Sequence, residues 1–205
     1  MTTDRRLLLI ATGSAHKLAE LRQLLNLGAA DVVSLADVGL ADDADETGAT
    51  FEANATLKAL YYAERSDLPT LADDSGLEVD ALDGRPGVLT RRYAGPDATD
   101  AQNNERLLAE LAGLPSEGRT ARYRCVLVFA EDAAVHEVTH GTFEGRIALA
   151  PRGDGGFGYD PIFEPVGEPA GGRTVGQLSA AEKNAISHRA QAARTMREKL
   201  VVRGY

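Results

Sequence analysis

The sequence predicts an α/β fold, because short apolar segments alternate with amphipathic segments along its length. It opens with a continuous apolar run at residues 6–11, a polar loop and then a helix at Lys17–Leu27 whose leucines recur at helical spacing. The strongest predicted strand lies at 121–130, where apolar and basic residues alternate before the run becomes wholly apolar. Two capping-box patterns, starting at Thr99 and Ser179, predict the beginnings of later helices.

The segments between these landmarks follow the same alternation. Residues 31–35 are predicted to form a second strand, 36–49 an acidic loop, and Thr50 to cap a helix that ends near Arg65. The apolar run at 70–72 is expected to stop at Asp73 as a strand end. The remaining predictions are a strand at 77–82, a turn at 84–87, a helix from Thr99 to Gly113, strands within 134–149, a glycine-rich loop at 153–158, and a helical segment from Ser179 to about Val202.

The composition indicates one globular domain over residues 1–205. Hydrophobic residues make up 43% and charged residues 26%, which excludes wholesale disorder, and the chain has no internal repeat and no low-complexity linker. The 22 Lys and Arg residues are outnumbered by 31 Asp and Glu, for a net charge of −9. This acidic balance argues against nucleic acid or an anionic membrane surface as a partner.

Two features predict a cytoplasmic protein. The single Cys125 cannot form an intramolecular disulfide, which suits a reducing compartment. The apolar run that follows Arg5-Arg6 is five residues long, which is shorter than the core of a signal peptide.

The loop at Thr12–Lys17 is a candidate anion site. A loop that leads from a strand into a helix presents unpaired N–H groups and the positive end of the helix dipole, and Thr12, Ser14 and Lys17 add donors. Lysine is scarce in this chain, with four residues against 18 arginines, and a lysine is a compact charge suited to one phosphate oxygen. An ordinary loop with a surface lysine is the alternative interpretation.

Acidic residues form a second candidate site. Asp73-Asp74-Ser75-Gly76 follows a predicted strand, and Glu46 lies in an acidic loop. Two carboxylates together with substrate phosphate oxygens are typical of a Mg²⁺ site. Since adjacent strand residues point in opposite directions, only one of Asp73 and Asp74 is expected to face that site. Asp42, Asp43 and Asp45 are interpreted as solvated loop residues.

Three other motifs are excluded. Residues 153–158 satisfy the G-x-G-x-x-G pattern of dinucleotide-binding loops, but Pro161 disfavours the helix that must follow. No His/Cys pattern has zinc-ligand spacing, and no Ser-His-Asp set stands out. The glycines beside Phe157 and Tyr159 still allow backbone and ring to approach a flat ligand.

Six motifs run in order from residue 11 to residue 189 and cover nearly the whole chain. They are Ala11-Thr12-Gly13 with Lys17; Glu46-Thr47-Gly48 with Thr50-Phe51, Asn54-Ala55 and Lys58-Ala59; Asp73-Asp74-Ser75-Gly76-Leu77-Glu78-Val79-Asp80-Ala81-Leu82; Arg92-Tyr93-Ala94-Gly95; Gly155-Gly156-Phe157-Gly158-Tyr159-Asp160-Pro161-Ile162-Phe163; and Glu182-Lys183-Asn184 with Ile186-Ser187-His188-Arg189. Together they resemble the inosine triphosphate pyrophosphatase family. Ser14 departs from the asparagine usual there.

The resemblance implies a fold and an activity. The expected fold is a long mixed sheet divided into two lobes, with helices packed around it and the active cleft between the lobes, in a homodimer. The expected reaction is hydrolysis of ITP, dITP or XTP to the monophosphate and pyrophosphate, with Mg²⁺ as cofactor. The alternatives are a Maf-like pyrimidine triphosphate pyrophosphatase and a sensor that binds nucleotides without cleaving them.

The resemblance also implies residue roles. Glu46 and Asp74 bind the metal, and Asp74 also accepts a proton. The triphosphate contacts are Thr12, Gly13, Ser14, Ala15, His16, Lys17, Lys58 and Ser75. The base contacts are Phe157, Gly158, Tyr159, Asp160, Lys183, His188 and Arg189. Phe157 can stack on any purine, whereas donors from His188 and Arg189 can distinguish a 6-oxo group from the amino group of adenine.

Overall fold

A computed structural model describes residues 5–205. No helix in that range is both long and apolar enough to cross a membrane. The described residues form six strands, β1 (Arg6–Ala11), β2 (Ala30–Ser34), β3 (Thr70–Val79), β4 (Thr120–Glu131), β5 (Ala134–Ile147) and β6 (Phe163–Pro165). They also form five α-helices, α1 (Ala15–Leu25), α2 (Phe51–Ser66), α3 (Asp100–Glu110), α4 (Ala180–Ile186) and α5 (His188–Val202).

The strands make one mixed sheet in the order β2-β1-β3-β4-β5-β6. β1 pairs in parallel with β2 and with β3, which is the arrangement expected of strands joined by crossover helices. β5 pairs antiparallel with β6. The residues that join β4 to β5, Asp132 and Ala133, both have positive φ, as a type I′ hairpin turn of two residues requires. The predicted α/β class is therefore confirmed.

Several predicted element boundaries are wrong, and three of them lie in segments that carry candidate site residues. The runs at 70–72 and 77–82 belong to one strand, β3, so Asp73 and Asp74 lie inside a strand and not at its end. The pairing of β1 with β3 nevertheless stops at Ala72, one residue before Asp73. The first helix begins two residues earlier than predicted, because Ser14 caps it. The last helical segment is broken at Ser187, whose backbone is extended.

The described chain divides into two compact units. The first contains the residues up to Asp74 together with Cys125–Gly141 and Arg189–Tyr205, and the second contains Ser75–Arg124 and Thr142–His188. The chain therefore passes from one unit to the other several times, and β3, β4 and β5 each contribute residues to both. Each unit has a hydrophobic core of its own.

The core of the first unit is built on β1, α1 and α5. Leu8 and Ile10 of β1 are fully buried in it with Leu21 of α1 and Met196 of α5. The apolar spacing of α1 places Leu21 and Leu25 on one buried face, as the sequence predicts. This packing holds the end of β1 and the start of α1, and therefore the loop between them, in place.

The core of the second unit includes residues that directly follow the glycine-rich loop. Tyr159 and Ile162, from just beyond that loop, are buried against Phe163 and Tyr123. A carboxylate anchors the neighbouring segment: Glu164 of β6 is buried and accepts hydrogen bonds from Arg146 and Arg152. The backbone N–H of Gly171 also donates to it at 3.2 Å.

We expect Glu164→Gln to destabilise the fold. Burial acts to raise the pKa of Glu164, but the two arginines hold it below its ordinary value, so the carboxylate is charged at neutral pH. Removing that charge weakens hydrogen bonds worth about 1.5–3 kcal/mol each when one partner is charged. A thermal melt at pH 7 should show a loss of several degrees. Glu144→Gln is the control, because its carboxylate is exposed and pairs with Arg122.

The effect should depend on pH in one direction. A group whose folded pKa is lowered stabilises the protein above its unfolded pKa, and this stabilisation is lost as the pH falls through the folded value. The difference in melting temperature between wild type and Glu164→Gln should therefore shrink below pH 4.5, the ordinary glutamate value. A difference that stays constant on acidification would contradict the ion-pair explanation.

Candidate active site

The loop between β1 and α1 is ordered by its own side chains. The Ser14 hydroxyl accepts from the backbone N–H of Lys17 at 3.4 Å and so caps α1. Thr12 Oγ1 accepts from the backbone N–H of Ser14 at 3.2 Å. Gly13, Ala15 and His16 are exposed. The loop thus presents a helix N-terminus with a lysine in its first turn, which favours an anion.

The Asp73 carboxylate pairs with two cationic side chains, Lys17 and Arg189. Its side chain is fully buried, and its two oxygens accept hydrogen bonds from Lys17, from Arg189 Nε at 3.1 Å and from the Cys125 thiol at 3.2 Å. Burial acts to raise the pKa of Asp73, but Arg189 and Lys17 hold it far below its ordinary value. Burial and the Asp73 charge raise the pKa of Cys125, so its thiol stays protonated and donates. Asp73 is therefore a permanent buried anion.

The segment before α2 carries Glu46 and is fixed by a side chain of the helix. Thr50 caps α2, as predicted. Asn54 Oδ1, on the first turns of that helix, accepts from the backbone N–H of Gly48 at 2.7 Å. A Cβ on Gly48 would lie 2.7 Å from that oxygen, so the close approach requires glycine. Glu46, two residues earlier, is held near α2 as a result.

Lys58 of α2 joins the two carboxylates predicted to bind metal. Its Nζ lies 2.9 Å from Glu46 Oε1 and 3.0 Å from Asp74 Oδ1. Burial acts to lower the pKa of Lys58, but the charges of Asp74 and Glu46 raise it overall, so the amine stays protonated. Asp74 and Asp73 point in opposite directions from β3, as neighbours on a strand must, and each meets a different lysine.

One oxygen of Asp74 is available to a ligand. Among residues 5–205 no group forms a hydrogen bond with Asp74 Oδ2, although this atom is buried. Burial raises the pKa of Asp74 above its ordinary value, against the opposing effect of Lys58. A buried oxygen without a partner costs stability unless a ligand completes its coordination. Glu46 and Asp74 could hold a divalent cation together with substrate oxygens, because both carboxylates converge on Lys58. No group of three or more His, Cys, Asp or Glu side chains with metal-site geometry occurs among residues 5–205.

In the second unit, the glycine-rich loop is wound around Asp160. Gly156 has a φ of 74°, and a Cβ there would lie 2.1 Å from Asp160 Oδ2, so this position requires glycine. Asp160 Oδ2 accepts from the backbone N–H of Phe157 at 3.0 Å and from Lys183 Nζ at 2.7 Å. The same lysine nitrogen lies 4.3 Å from the centre of the Phe157 ring. Lys183 comes from α4, which begins at the predicted capping box of Ser179.

Helix α3 holds Gly158, the loop residue after Phe157, by both its backbone N–H and its carbonyl oxygen. Asp100 Oδ2 accepts from the backbone N–H of Gly158 at 2.6 Å, and Asn104 Nδ2 donates to its carbonyl oxygen at 3.1 Å. A cavity of about 560 Å³ lies between α3 and this loop, lined by residues that include Asn104, Leu108 and Phe157. The orientation of the loop therefore depends on α3 as well as on Asp160.

The predicted site residues fall into two groups. The first unit brings together the Thr12–Lys17 loop, Glu46, Lys58 and Asp74. The second brings together the Phe157–Asp160 loop and Lys183, with His188 linked to them through Tyr123. Ser75 also lies in the second unit, and Tyr159 directs its hydroxyl to the Thr90 carbonyl at 2.8 Å.

Arg189 belongs to the first group by its contacts. Its side chain is 2% exposed and pairs with Asp73 and with Glu20 of α1. Sequence reasoning assigned it to the base and assigned no role to Asp73 or Glu20. No local pattern in the sequence indicates these ion pairs, because Arg189 lies 116 residues from Asp73 and 169 residues from Glu20 along the chain. The base contact of Arg189 stays a prediction.

The chain matches known proteins over nearly its full length. The model of the Ham1 family matches residues 8–199. A protein of Shigella flexneri named dITP/XTP pyrophosphatase is 48% identical over 93% of this chain and 96% of its own length. A protein of Geobacillus kaustophilus with the same name is 50% identical over 90% of this chain and 89% of its own length.

Solved structures agree with this match. The HAM1 protein of Coxiella burnetii superposes with a TM-score of 0.86 at 40% identity, over 96% of this chain and 99% of the other. A Mycobacterium abscessus structure titled nucleoside-triphosphatase / dITP/XTP pyrophosphatase gives a TM-score of 0.75 at 42% identity, over 93% and 98% of the two chains. With sequence, fold and motif order in agreement from end to end, this chain belongs to the Ham1 family.

Proposed function

We propose that this chain hydrolyses non-standard purine nucleoside triphosphates, namely ITP, dITP and XTP, to the monophosphate and pyrophosphate. The observation that carries the proposal is the cluster in which Lys58 joins Glu46 and Asp74, beside a loop that favours anions. Close relatives that share this chain's length are named dITP/XTP pyrophosphatases, which supports the same substrate class. The chain is thus an enzyme that acts on phosphoric anhydride bonds.

We propose Mg²⁺ as the cofactor, with Glu46 and Asp74 as its protein ligands. The buried Asp74 Oδ2 lacks a partner among residues 5–205, and two carboxylates suit an ion that keeps much of its water and binds substrate oxygens as well. When bound, Mg²⁺ supplies positive charge to the phosphate oxygens and to the pyrophosphate leaving group.

Asp74 is the proposed proton acceptor. A water molecule attacks the α-phosphorus, the bond from that phosphorus to the bridging oxygen breaks, and pyrophosphate leaves with the bonding electrons. The proton of the water passes to the Asp74 carboxylate. Burial raises the pKa of this group, which brings it closer to the pH at which a general base works best.

The remaining charges position the triphosphate. The Thr12–Lys17 loop with the Lys17 ammonium group, the Ser75 hydroxyl and the Lys58 ammonium group are the proposed contacts. Asp73 and Arg189 keep Lys17 in place from behind. Phosphoryl transfer depends mainly on positioning and charge stabilisation, and these proposed contacts would supply both to the triphosphate.

The base is the proposed ligand of the second group. Phe157 stacks on the purine, and Lys183 and His188, which lie in the same compact unit, supply donors to its oxygen-bearing edge. The base contact of Arg189, which the family resemblance implies, is tested separately below. A site built on donors accepts the 6-oxo group of hypoxanthine or xanthine and disfavours the amino group of adenine, whose donors would face donors.

We further propose that the protein is a cytoplasmic homodimer. The buried free thiol of Cys125 suits a reducing compartment. The dimer rests on the family resemblance and is tested by light scattering of the purified chain during size-exclusion chromatography.

A substrate panel tests the function. Pyrophosphate release is measured with ITP, XTP, dITP, GTP, ATP and UTP in the presence of Mg²⁺. The proposal expects the highest kcat/KM for ITP, dITP and XTP. Preferred turnover of UTP would favour the pyrimidine alternative, and tight binding of ITP without release of pyrophosphate would favour the sensor.

We expect Asp74→Asn to reduce turnover by about 10²–10⁴-fold, the range for loss of a general base. An amide has neither the charge for the cation nor the basicity for the water. The melting temperature should change little by comparison, and Asp45→Asn, in the exposed part of the acidic loop, is the control. Turnover of folded Asp74→Asn at the wild-type level would remove this residue from the mechanism.

We expect Lys17→Ala to reduce kcat/KM by about 10–100-fold for every triphosphate alike. A contact with phosphate carries no information about the base, so ITP, XTP and GTP should lose similar factors. Lys199→Ala removes a lysine that pairs with Glu137 and should have no effect. A loss confined to ITP would contradict the assignment of the loop to phosphate.

We expect Arg189→Ala to lower the ratio of kcat/KM for ITP over ATP by about tenfold or more, the value of a charged, desolvated hydrogen bond. It should also lower the melting temperature, because Asp73 and Glu20 lose a buried partner. Arg197→Ala, at an exposed position of α5, is the control. A lower melting temperature with an unchanged ratio would restrict Arg189 to support of Asp73.

A further inference from the structure

Tyr123 makes two directional contacts to residues of the base site. It lies in β4, is 7% exposed and belongs to the core of the second unit. Its hydroxyl donates to Asp160 Oδ1 at 3.2 Å. Its ring stacks on the imidazole of His188 with centres 4.7 Å apart and planes within 6° of parallel. The sequence alternation in β4 marks this residue only as core.

These two contacts link residues that are far apart in the sequence. Asp160 also holds Lys183 and the backbone of Phe157 through its other oxygen. Tyr123 therefore reaches the stacking ring and the lysine through Asp160, and the imidazole directly. All of these residues lie in one compact unit.

We propose that Tyr123 is a positioning residue that sets the base selectivity of the enzyme, through its ring on His188 and its hydroxyl on Asp160. This inference rests on the proposed function. In this role Tyr123 acts by fixing the directions in which His188 and Asp160 present their groups.

The ring contributes the larger share of this effect. The strength of a hydrogen bond falls steeply once donor and acceptor are misaligned, so a His188 ring free to rotate would lose its preference for a 6-oxo group. The Tyr123 ring is fixed in the core, where its centre lies 4.7 Å from the centre of the Phe163 ring. A parallel stack of His188 on this fixed ring therefore opposes rotation of the imidazole.

The hydroxyl contributes a smaller share. Asp160 keeps the Phe157 N–H and Lys183 as donors when the hydroxyl is removed. Burial and the nearby Asp160 charge raise the pKa of Tyr123 well above its ordinary value, so the hydroxyl remains a donor across the working range of the enzyme. Loss of the hydroxyl therefore loosens Asp160 without releasing it.

The test compares Tyr123→Leu, which lacks the ring, with Tyr123→Phe, which lacks only the hydroxyl. Tyr93→Phe is the matched control, since Tyr93 is 6% exposed in the same core and its hydroxyl donates to Glu110, outside the base site. For each protein kcat and KM are measured with ITP and ATP, together with the melting temperature. Inhibition by inorganic tripolyphosphate, which has no base, reports on the phosphate contacts.

We expect Tyr123→Leu to lower the ITP over ATP ratio of kcat/KM by about tenfold or more, mainly through a higher KM for ITP. Tyr123→Phe should raise the KM for ITP about threefold. Tyr93→Phe should match wild type, and tripolyphosphate should inhibit all four proteins equally. Such a pattern separates positioning from general stability, because partial unfolding would lower kcat/KM for both substrates and would weaken inhibition by tripolyphosphate as well.

An ITP over ATP ratio at the wild-type level in folded Tyr123→Leu would overturn the proposal. If Tyr123→Leu does not fold, the KM of Tyr123→Phe for ITP decides, and a value equal to that of Tyr93→Phe would overturn the proposal. Wild-type protein that fails to release pyrophosphate from ITP would instead overturn the proposed function, and this result is read before any variant is compared.

Discussion

The buried carboxylate of Asp73 is the interaction on which the phosphate side of the site depends. An isolated charge in a protein interior is very costly, so this group persists only because Lys17 and Arg189 both pair with it. Those pairs in turn connect α1, β3 and α5. Lys17 is thereby held at the first turn of α1, beside the hydroxyls of Thr12 and Ser14. The same buried charge that would destabilise the core if it were alone thus fixes a cation where an anionic substrate is proposed to bind.

Asp160 has the corresponding role in the second unit. It fixes the glycine-rich loop by accepting from the Phe157 backbone, and it holds Lys183 against the face of the Phe157 ring. Each of the two carboxylates is therefore a centre that orients cations and backbone and is not itself a proposed reactant. Asp74 differs from both, because one of its oxygens is left for a ligand within the described part of the chain. Asp73 and Asp160 accept hydrogen bonds through both oxygens, whereas Asp74 accepts through one, and the proposed chemistry depends on this contrast.

Much of the fold could be predicted from local patterns. The capping residues Thr50, Thr99 and Ser179 make the predicted contacts, so these helix starts follow from side chains within a few residues of them. The errors arise where tertiary pairing overrides local signals. Gly76 and two polar aspartates suggested an interruption at 73–76, yet β3 continues through them, with β4 as its hydrogen-bonded neighbour after the pairing with β1 ends at Ala72. The extended Ser187 between α4 and α5 has no signal that single-residue propensity could provide.

The sequence by itself determined the α/β class, the helix caps and the family, since capping, periodicity and motif order are all local properties of the chain. It also indicated which segments carry chemistry, through glycine, lysine and carboxylate motifs. Only the tertiary structure decided the partners of each charge: that Asp73 pairs with Arg189, that Lys58 joins Glu46 to Asp74, and that Tyr123 supports His188. Those partners lie far apart along the chain, and the free energy of a buried ion pair or ring stack depends on distance, angle and burial, none of which is encoded in the spacing of residues along the sequence.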